Sequence, residues 1–262
     1  MNRLRRVLWS GLSVLVLAGL WWLGGRALPE VIPGLGETAA ALVVILTEPG
    51  PYGNPWYYHV YKTAEMIGLS LILSIVVGTV LGVALGTSDR LERASSSWIY
   101  GWLAVPSLVI VFVMAVVVGF NAAAGYIAVT AVITPFVALN MWEGARNLDP
   151  QLAEMATFFG ADRYQTFREV IVPQLVPFLF AAVRSALSIG WKITLLVEAF
   201  LLPRGVGFMF RRNFDNYDLT MMMSWLVIFV ILLVIVEYGV LVPIHNRLTH
   251  WRPEVEGVRV SE

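Results

Sequence analysis

Ionisable side chains inside long apolar stretches are the residues of this sequence whose chemistry most needs an explanation. Lys192 and Glu198 lie in the apolar stretch 176–199, and Glu65 lies at the start of the stretch 64–87. In a membrane helix, a charge near the centre costs about 2.5 to 3.5 kcal/mol on insertion scales, so it needs a partner or water. Lys192 is near the middle of its stretch, where its side chain cannot easily reach either membrane surface.

The position of Lys192 allows two interpretations. It lines a polar path and attracts an anion, or it forms a buried structural ion pair with Glu65 or Glu198. Residues six positions apart on one helix face opposite sides, so Glu65 is the favoured partner of the two. Arg184 and Glu237 lie closer to the ends of their stretches, which favours a structural role for both.

No pattern in the sequence indicates a catalytic or metal centre on this chain. There is no cysteine, and the three histidines, His59, His245 and His250, are scattered in predicted loops. No Ser-His-Asp arrangement, HExxH helix or Walker Gly-rich loop is present, so we predict no catalytic residue, no metal, no cofactor and no ATP hydrolysis on this chain. A membrane-embedded enzyme that uses Glu198 and Glu237 is an alternative, but paired acidic or metal-ligand spacing is missing.

Composition places the chain in the integral membrane class. Of 262 residues, 58% are hydrophobic and 14% are charged, and the mean hydropathy is +0.74, values outside the range of soluble domains. Eighteen Lys+Arg balance eighteen Asp+Glu, and no basic run with interleaved aromatic residues occurs, so we expect no nucleic-acid partner.

We predict an all-α integral membrane protein with one membrane domain, 1–262, and six transmembrane helices. The spans are 7–25, 64–87, 98–120, 126–142, 176–199 and 220–244. The remaining segments are an external segment 26–63, a cytoplasmic loop 147–173, an external loop 200–219 and a tail 245–262. Most of the Lys and Arg residues outside the spans fall on the side of both termini, which the positive-inside rule makes cytoplasmic.

Glycine spacing in the second span predicts close helix packing. Gly78, Gly82 and Gly86 repeat every four residues, so one ridge of the helix lacks side chains and another backbone can approach it.

The stretch from Asp149 to Pro173 is the longest charged interval between two strongly apolar blocks, and it predicts two short helices at a corner. Asp149 is a candidate cap for a helix that starts at Pro150. Asp162 and Gln165 have capping-box spacing for a second helix. Gly160 ends the first helix, whose apolar face consists of Leu152, Met155, Ala156 and Phe159. From pattern alone, an ordinary cytoplasmic loop folded onto its own membrane domain fits equally well.

This stretch resembles the EAA loop of permease subunits in type I ATP-binding-cassette (ABC) importers. Glu154-Met155-Ala156, a three-residue spacer, Gly160-Ala161 and the ending Ile171-Val172-Pro173 follow the family pattern, with Met155 in place of Ala and Val172 in place of Leu. The resemblance implies that the elbow docks on a separate ATPase subunit. The residues it assigns to this coupling are Glu154, Met155, Ala156, Phe159, Gly160 and Ala161.

The region 183–208 resembles the nitrate, sulfonate, taurine and bicarbonate branch of these permeases. The matching residues are Arg184, Gly190, Trp191, Glu198, Gly205 and Gly207, and the basic, Trp-containing tail 247–251 is similar as well. The chain departs from the branch at Lys192, where a small or apolar residue is usual, and at Glu65, where Arg is common. The branch's Pro-x-x-Ala-Trp and Trp-Phe-Gly signature is missing from 104–120.

The resemblance implies partners that this sequence does not contain. We expect a second permease copy in a homodimer, two ABC ATPase subunits that carry the ATP and Mg, a solute-binding protein and membrane lipid. The expected substrate is a small polar solute of the anion class, such as a sulfonate or taurine, nitrate or bicarbonate. The expected location is the bacterial plasma (inner) membrane, with several passes. A secondary transporter is a further alternative, although the two halves show no inverted repeat.

Overall fold

The computed structural model describes residues 3–50 and 53–243, and these residues form helices with no strand. The all-α class is therefore confirmed for the described part of the chain. The helices are α1 (Arg3–Ala27), α2 (Leu35–Thr47), α3 (Trp56–Thr87), α4 (Asp89–Ala104), α5 (Ser107–Val118), α6 (Ala122–Arg146), α7 (Pro150–Phe158), α8 (Arg163–Thr166), α9 (Val172–Leu201), α10 (Val206–Asp215) and α11 (Leu219–Val236). A π-helical turn, Phe167–Ile171, joins α8 to α9, and another, Glu237–Leu241, follows α11.

Within the described ranges, four helical stretches are long and apolar enough to cross a membrane. They are Trp56–Thr87, Ala122–Arg146, Arg163–Leu201 and Leu219–Leu241. The pair α4 and α5 adds a fifth if the two helices are one broken span, and α1 contains a shorter apolar helix, Gly11–Ala27. The structure therefore supports a multi-pass membrane protein, whereas the count of six spans stays a prediction. The predicted cytoplasmic tail, 245–262, lies outside the described residues.

The predicted third span, 98–120, is two helices in the structure. Helices α4 and α5 are bent by 96° at the break between them. Pro106 has no N–H and disfavours helical geometry at the residue before it, and Val105 is accordingly extended, with φ −70° and ψ 126°. Helix α4 also starts early, because Ser88 caps it by accepting a hydrogen bond from the Leu91 N–H.

Two further helices differ from the predicted segments. Helix α3 begins at Trp56, within the predicted external segment, because an apolar window marks the part of a helix that contacts lipid and does not mark where the helix begins. Helix α10, Val206–Asp215, lies in the predicted external loop 200–219.

The chain divides into two compact units. One contains the described parts of Met1–Thr63 and Glu198–Leu232, and the other contains the described parts of Ala64–Val197 and Leu233–Glu262. In the first unit, the Ser224 hydroxyl donates to the Thr38 carbonyl at 3.1 Å, and Trp21 Nε1 donates to the Pro33 carbonyl at 3.0 Å. These bonds tie α11 to α2, and α1 to the segment before α2.

In the second unit, α3 packs closely on α6 through the predicted glycine ridge. A Cβ atom on Gly78 would lie 2.6 Å from Val137 Cβ, and one on Gly82 would lie 2.7 Å from Met141 Cβ. These distances leave no room for a side chain, so the prediction of close packing is confirmed. Ser74 adds polar contacts between the same helices: its hydroxyl lies 3.2 Å from the Thr130 carbonyl and 3.2 Å from the Thr134 hydroxyl, which donates to it.

Replacing Gly82 with Ala is expected to destabilise the second unit. The added methyl group would collide with α6, and overpacking of this kind costs about 1–3 kcal/mol. Gly68→Ala on the same helix is the matched control, because no atom lies within 4 Å of a Cβ atom there. Thermal unfolding of the detergent-solubilised chain should show a lower midpoint for Gly82→Ala alone. Equal midpoints for the two variants would contradict the packing.

Candidate functional site

The cytoplasmic loop predicted from sequence is a capped helical elbow, which we define as residues 149–171. Asp149 Oδ1 accepts a hydrogen bond from the Gln151 N–H at 2.9 Å at the start of α7. The second cap is reciprocal: the Gln165 N–H donates to Asp162 Oδ1 at 2.8 Å, and the Asp162 N–H donates to Gln165 Oε1 at 3.0 Å. Between the helices, Gly160 has φ +85°, a conformation that favours glycine. Both predicted caps are confirmed.

The elbow continues directly into the spanning helix α9. The π-helical turn Phe167–Ile171 leads into α9 without an intervening loop, and Val172 N–H donates to the Phe167 carbonyl. Gln174, in the first turn of α9, also accepts a hydrogen bond from the Asp149 N–H at 2.9 Å. The start of the elbow is thus bonded to the first turn of α9 and its end continues into the same helix, so a displacement of the elbow would be transmitted to α9.

The elbow exposes large apolar side chains despite its polar composition. Phe158 is 88% exposed, Phe159 79% and Met155 52%, and the Phe158 and Phe159 rings pack edge to face with centroids 5.8 Å apart. Such a patch, surrounded by polar residues, indicates a surface that contacts a partner. Phe158 was not singled out from sequence, although it adjoins Phe159.

The other residues assigned to coupling lie in the same elbow. Glu154 and Gly160 are exposed, whereas Ala156 and Ala161 are half-buried. Ala156 also accepts a hydrogen bond, since the Ala161 N–H donates to its carbonyl at 3.0 Å across the turn. A backbone bond across the turn therefore joins Ala156 to Ala161, and Glu154 lies on the surface of α7.

Glu198 is a buried structural acceptor in the first unit. It is 1% exposed, and its Oε2 accepts hydrogen bonds from the Thr63 hydroxyl at 2.9 Å and from the Gly207 N–H at 2.9 Å. The Val206 N–H donates to Thr63 Oγ1 at 2.9 Å, and the Gly205 N–H donates to His59 Nδ1 at 3.2 Å. We call these three side chains, His59, Thr63 and Glu198, the carboxylate clamp.

The carboxylate clamp holds the start of α10. The first N–H groups of a helix have no partner within the helix, and here side chains from α3 and α9 satisfy them. Gly205 has φ +98°, and a Cβ atom on it would collide with the Glu198 carboxyl group, so this position requires glycine. Sequence reasoning placed His59 in a loop and missed Thr63, although the two residues share one face of α3 at four-residue spacing.

Lys192 lies on an open cavity of the second unit. Its side chain is exposed and lines a cavity of about 520 Å³. In the part of the chain that the structure describes, no ion pair joins Lys192 to Glu65, which is half-buried on α3. The predicted pair with Glu65 is thus not formed here, and a path role for Lys192 stays a hypothesis.

Arg184 and Glu237, the other two ionisable residues in apolar stretches, pair with each other. Arg184 Nη2 lies 3.1 Å from Glu237 Oε1. Among the described residues, no group of three or more His, Cys, Asp or Glu side chains is arranged to hold a metal ion.

Replacing Thr63 with Val is expected to destabilise the clamp. The variant removes a donor to the buried Glu198 carboxyl and an acceptor for the Val206 N–H, and each unsatisfied buried group costs about 1–3 kcal/mol. Thr63→Ser keeps the hydroxyl and is the matched control. Limited proteolysis should cut near residues 202–206 faster in Thr63→Val than in Thr63→Ser, and cleavage at the same rate would count against the clamp.

Comparison with solved structures gives the same fold. The chain superposes on a chain of the inward-facing MetNI methionine ABC transporter with a TM-score of 0.64 and 22% identity, covering 73% of this chain and 94% of that chain. A chain of an amino acid ABC transporter solved with histidines gives a TM-score of 0.55 at 18% identity, covering 81% and 96%.

Sequence relatives cover nearly the whole chain. The taurine transport system permease protein TauC of Escherichia coli (strain K12) is 25% identical over 255 residues, 96% of this chain and 92% of that protein. The formylaminopyrimidine transport permease protein ThiX of Halalkalibacterium halodurans is 23% identical and covers 83% and 86%. The putative aliphatic sulfonates transport permease protein SsuC of Bacillus subtilis (strain 168) is 22% identical and covers 90% of each chain.

A family model matches residues 74–248, which include the elbow, α9 and α10. Its description is that of a binding-protein-dependent transport system inner membrane component. The resemblance stated from the elbow residues is thereby confirmed, and the protein is a multi-pass transport subunit of the bacterial inner membrane with no enzymatic role of its own. The chain belongs to the family of inner membrane components of binding-protein-dependent transport systems.

Proposed function

We propose that two copies of this chain form the membrane pathway of a type I ABC importer for small organic anions of the sulfonate class. The observation that carries the proposal is the exposed apolar surface of the elbow, which extends directly from the spanning helix α9. An apolar patch on a polar, non-spanning segment supports a soluble protein partner better than it supports lipid.

The proposed partner of the elbow is an ABC ATPase subunit, with one ATPase for each permease copy. Phe158, Phe159 and Met155 would enter a groove of that subunit, and Glu154 would brace the elbow or meet a basic residue of the partner. ATP and Mg would bind to the ATPase, because the sequence of this chain has no Walker loop. Closure of the ATPase pair would move both elbows, and the hydrogen bond between Asp149 and Gln174 would carry the motion to α9.

For the membrane arrangement, we propose the six predicted spans with both termini in the cytoplasm. Helix α1 would supply the first span, and the bent pair α4 and α5 would be the third. The positive-inside distribution of Lys and Arg supports a cytoplasmic elbow, on the side of the membrane where ATP is available. An external solute-binding protein would deliver the substrate between α9 and its neighbours from the other side.

The proposed substrate class rests on the relatives and on one residue. Two of the three relatives described above are named for taurine and for aliphatic sulfonates, compounds that share a sulfonate group. Lys192 supplies a positive charge within an apolar helix of this chain, and a positive charge there favours passage of an anion.

Uptake is the direct test of the proposed function. The chain would be reconstituted in proteoliposomes with its ABC ATPase subunit and its solute-binding protein, with ATP supplied on the side of the membrane that the ATPase faces. We expect ATP-dependent accumulation of radiolabelled taurine or a short alkanesulfonate, and none when the ATPase is omitted. Uptake by the isolated chain without ATP would contradict the proposal and favour a secondary transporter.

Replacing Phe158 with Asp is expected to uncouple the chain from its ATPase. A charge in the centre of an apolar contact removes about 2 kcal/mol or more of binding energy, roughly a thirty-fold loss of affinity. Phe158→Leu keeps an apolar side chain and is the matched control. Substrate-stimulated ATP hydrolysis should fall at least about ten-fold in Phe158→Asp and stay near the unmodified level in Phe158→Leu. Full stimulation of the Asp variant would show that the elbow does not dock through this residue.

A further inference from the structure

A cavity beside the break between α4 and α5 contains an ionisable group that the coupling elbow does not explain. We call it the Lys192 cavity, and its volume is about 520 Å³. It is lined by residues 102–107 at the break and by residues of α6 and α9. We propose that this cavity is the point in the pathway where the sulfonate headgroup of the substrate is selected, by Lys192. This inference rests on the proposed function and specifies which residue recognises the substrate.

The charge of Lys192 is available to a ligand. Its side chain is exposed on the cavity, and no acidic side chain of the described ranges forms an ion pair with it. Of the residues that line the cavity, Lys192 is the one with a charged side chain, and Ser107 is the one with a hydroxyl group. A lysine ammonium group that faces an open cavity and has no counter-ion among the described residues attracts an anion from water.

The break between α4 and α5 is a second feature of this cavity. The chain leaves helical geometry at Val105 and Pro106 and turns by 96° before α5 begins at Ser107. Backbone outside a helix occurs at membrane depth only where it is buried in protein or lines a water-filled cavity. Here it lines the same cavity as Lys192.

The remaining walls suit the carbon chain of an organic sulfonate. Trp102, Phe136 and Ile189 contribute apolar surface to the cavity, and Trp102 is held in place because its Nε1 donates to the Ala131 carbonyl at 2.9 Å. One cationic group among apolar and aromatic walls, in a cavity within the usual size range of small-molecule sites, matches an anion that carries a short apolar chain.

The absence of cysteine from the sequence allows a direct measurement of the electrostatic potential in the cavity. A single cysteine would be introduced by Ser107→Cys into the full chain, in membranes that also contain its companion subunits. Two thiol reagents of similar size, one anionic with a sulfonate group and one cationic with a trimethylammonium group, would then be compared by their labelling rates. The comparison would be repeated with Lys192→Met added, and with Lys192→Arg as the matched control that keeps the charge.

We expect a higher ratio of anionic to cationic labelling rates when residue 192 is Lys or Arg than when it is Met. The difference should be at least about ten-fold, because removal of one unit charge changes the local electrostatic potential. Methanesulfonate should slow labelling of Ser107→Cys when Lys192 is present and have no effect with Lys192→Met. An unchanged ratio would overturn the proposal, and so would a Ser107→Cys variant that neither reagent labels.

Failure of this inference is distinguishable from failure of the proposed function. Labelling reports the potential at residue 107 and does not require substrate transport or ATP hydrolysis. If the ratio is unchanged while the Lys192→Met importer still accumulates substrate with ATP, the importer stands and Lys192 is not its selecting residue. If the ratio depends on the charge of residue 192 but the chain supports no ATP-dependent uptake, the anion site is supported and the proposed importer function is contradicted.

Discussion

Hydrogen bonding of polar groups within an apolar chain is the constraint on which the rest of this structure depends. Lipid offers no donors or acceptors, so a buried polar group that lacks a partner inside the protein costs free energy. Glu198 shows the consequence: its carboxyl group accepts bonds from the Thr63 hydroxyl and the Gly207 N–H, and these bonds fix the start of α10. From sequence alone, Glu198 could be a charge in the pathway or the partner of an ion pair. In the structure it is a buried hydrogen-bond acceptor.

The same constraint explains how the elbow differs from Lys192. The elbow keeps its backbone satisfied by its own caps, at Asp149 and at Asp162 with Gln165. The starts of its two helices are thus capped within the elbow, and its large apolar side chains remain exposed. Lys192 has no such local partner among the described residues, and it lines the cavity beside the break between α4 and α5.

Local features of the structure were predictable from sequence, and contacts between distant segments were not. Capping residues and a glycine every four positions act within one helix or along one ridge, so their spacing predicted the elbow and the packing of α3 on α6. The third span breaks at Pro106, but neither the 96° angle of the break nor the early start of α4 follows from an apolar window. The carboxylate clamp joins α3 to segments more than a hundred residues away, and no periodicity within either segment encodes that pairing.

The importer assignment and the elbow contact depend on one another, because a transport subunit that hydrolyses no ATP needs a surface through which an ATPase acts. A photo-crosslinking amino acid at position 158, in the full chain expressed with its genomic neighbours, tests this contact most directly. The account predicts that irradiation joins the chain to a soluble ATPase subunit, and that the same amino acid at the exposed position of Phe120, outside the elbow, does not. Crosslinks from position 158 to lipid alone, or to a protein on the external side of the cell membrane, would contradict the account.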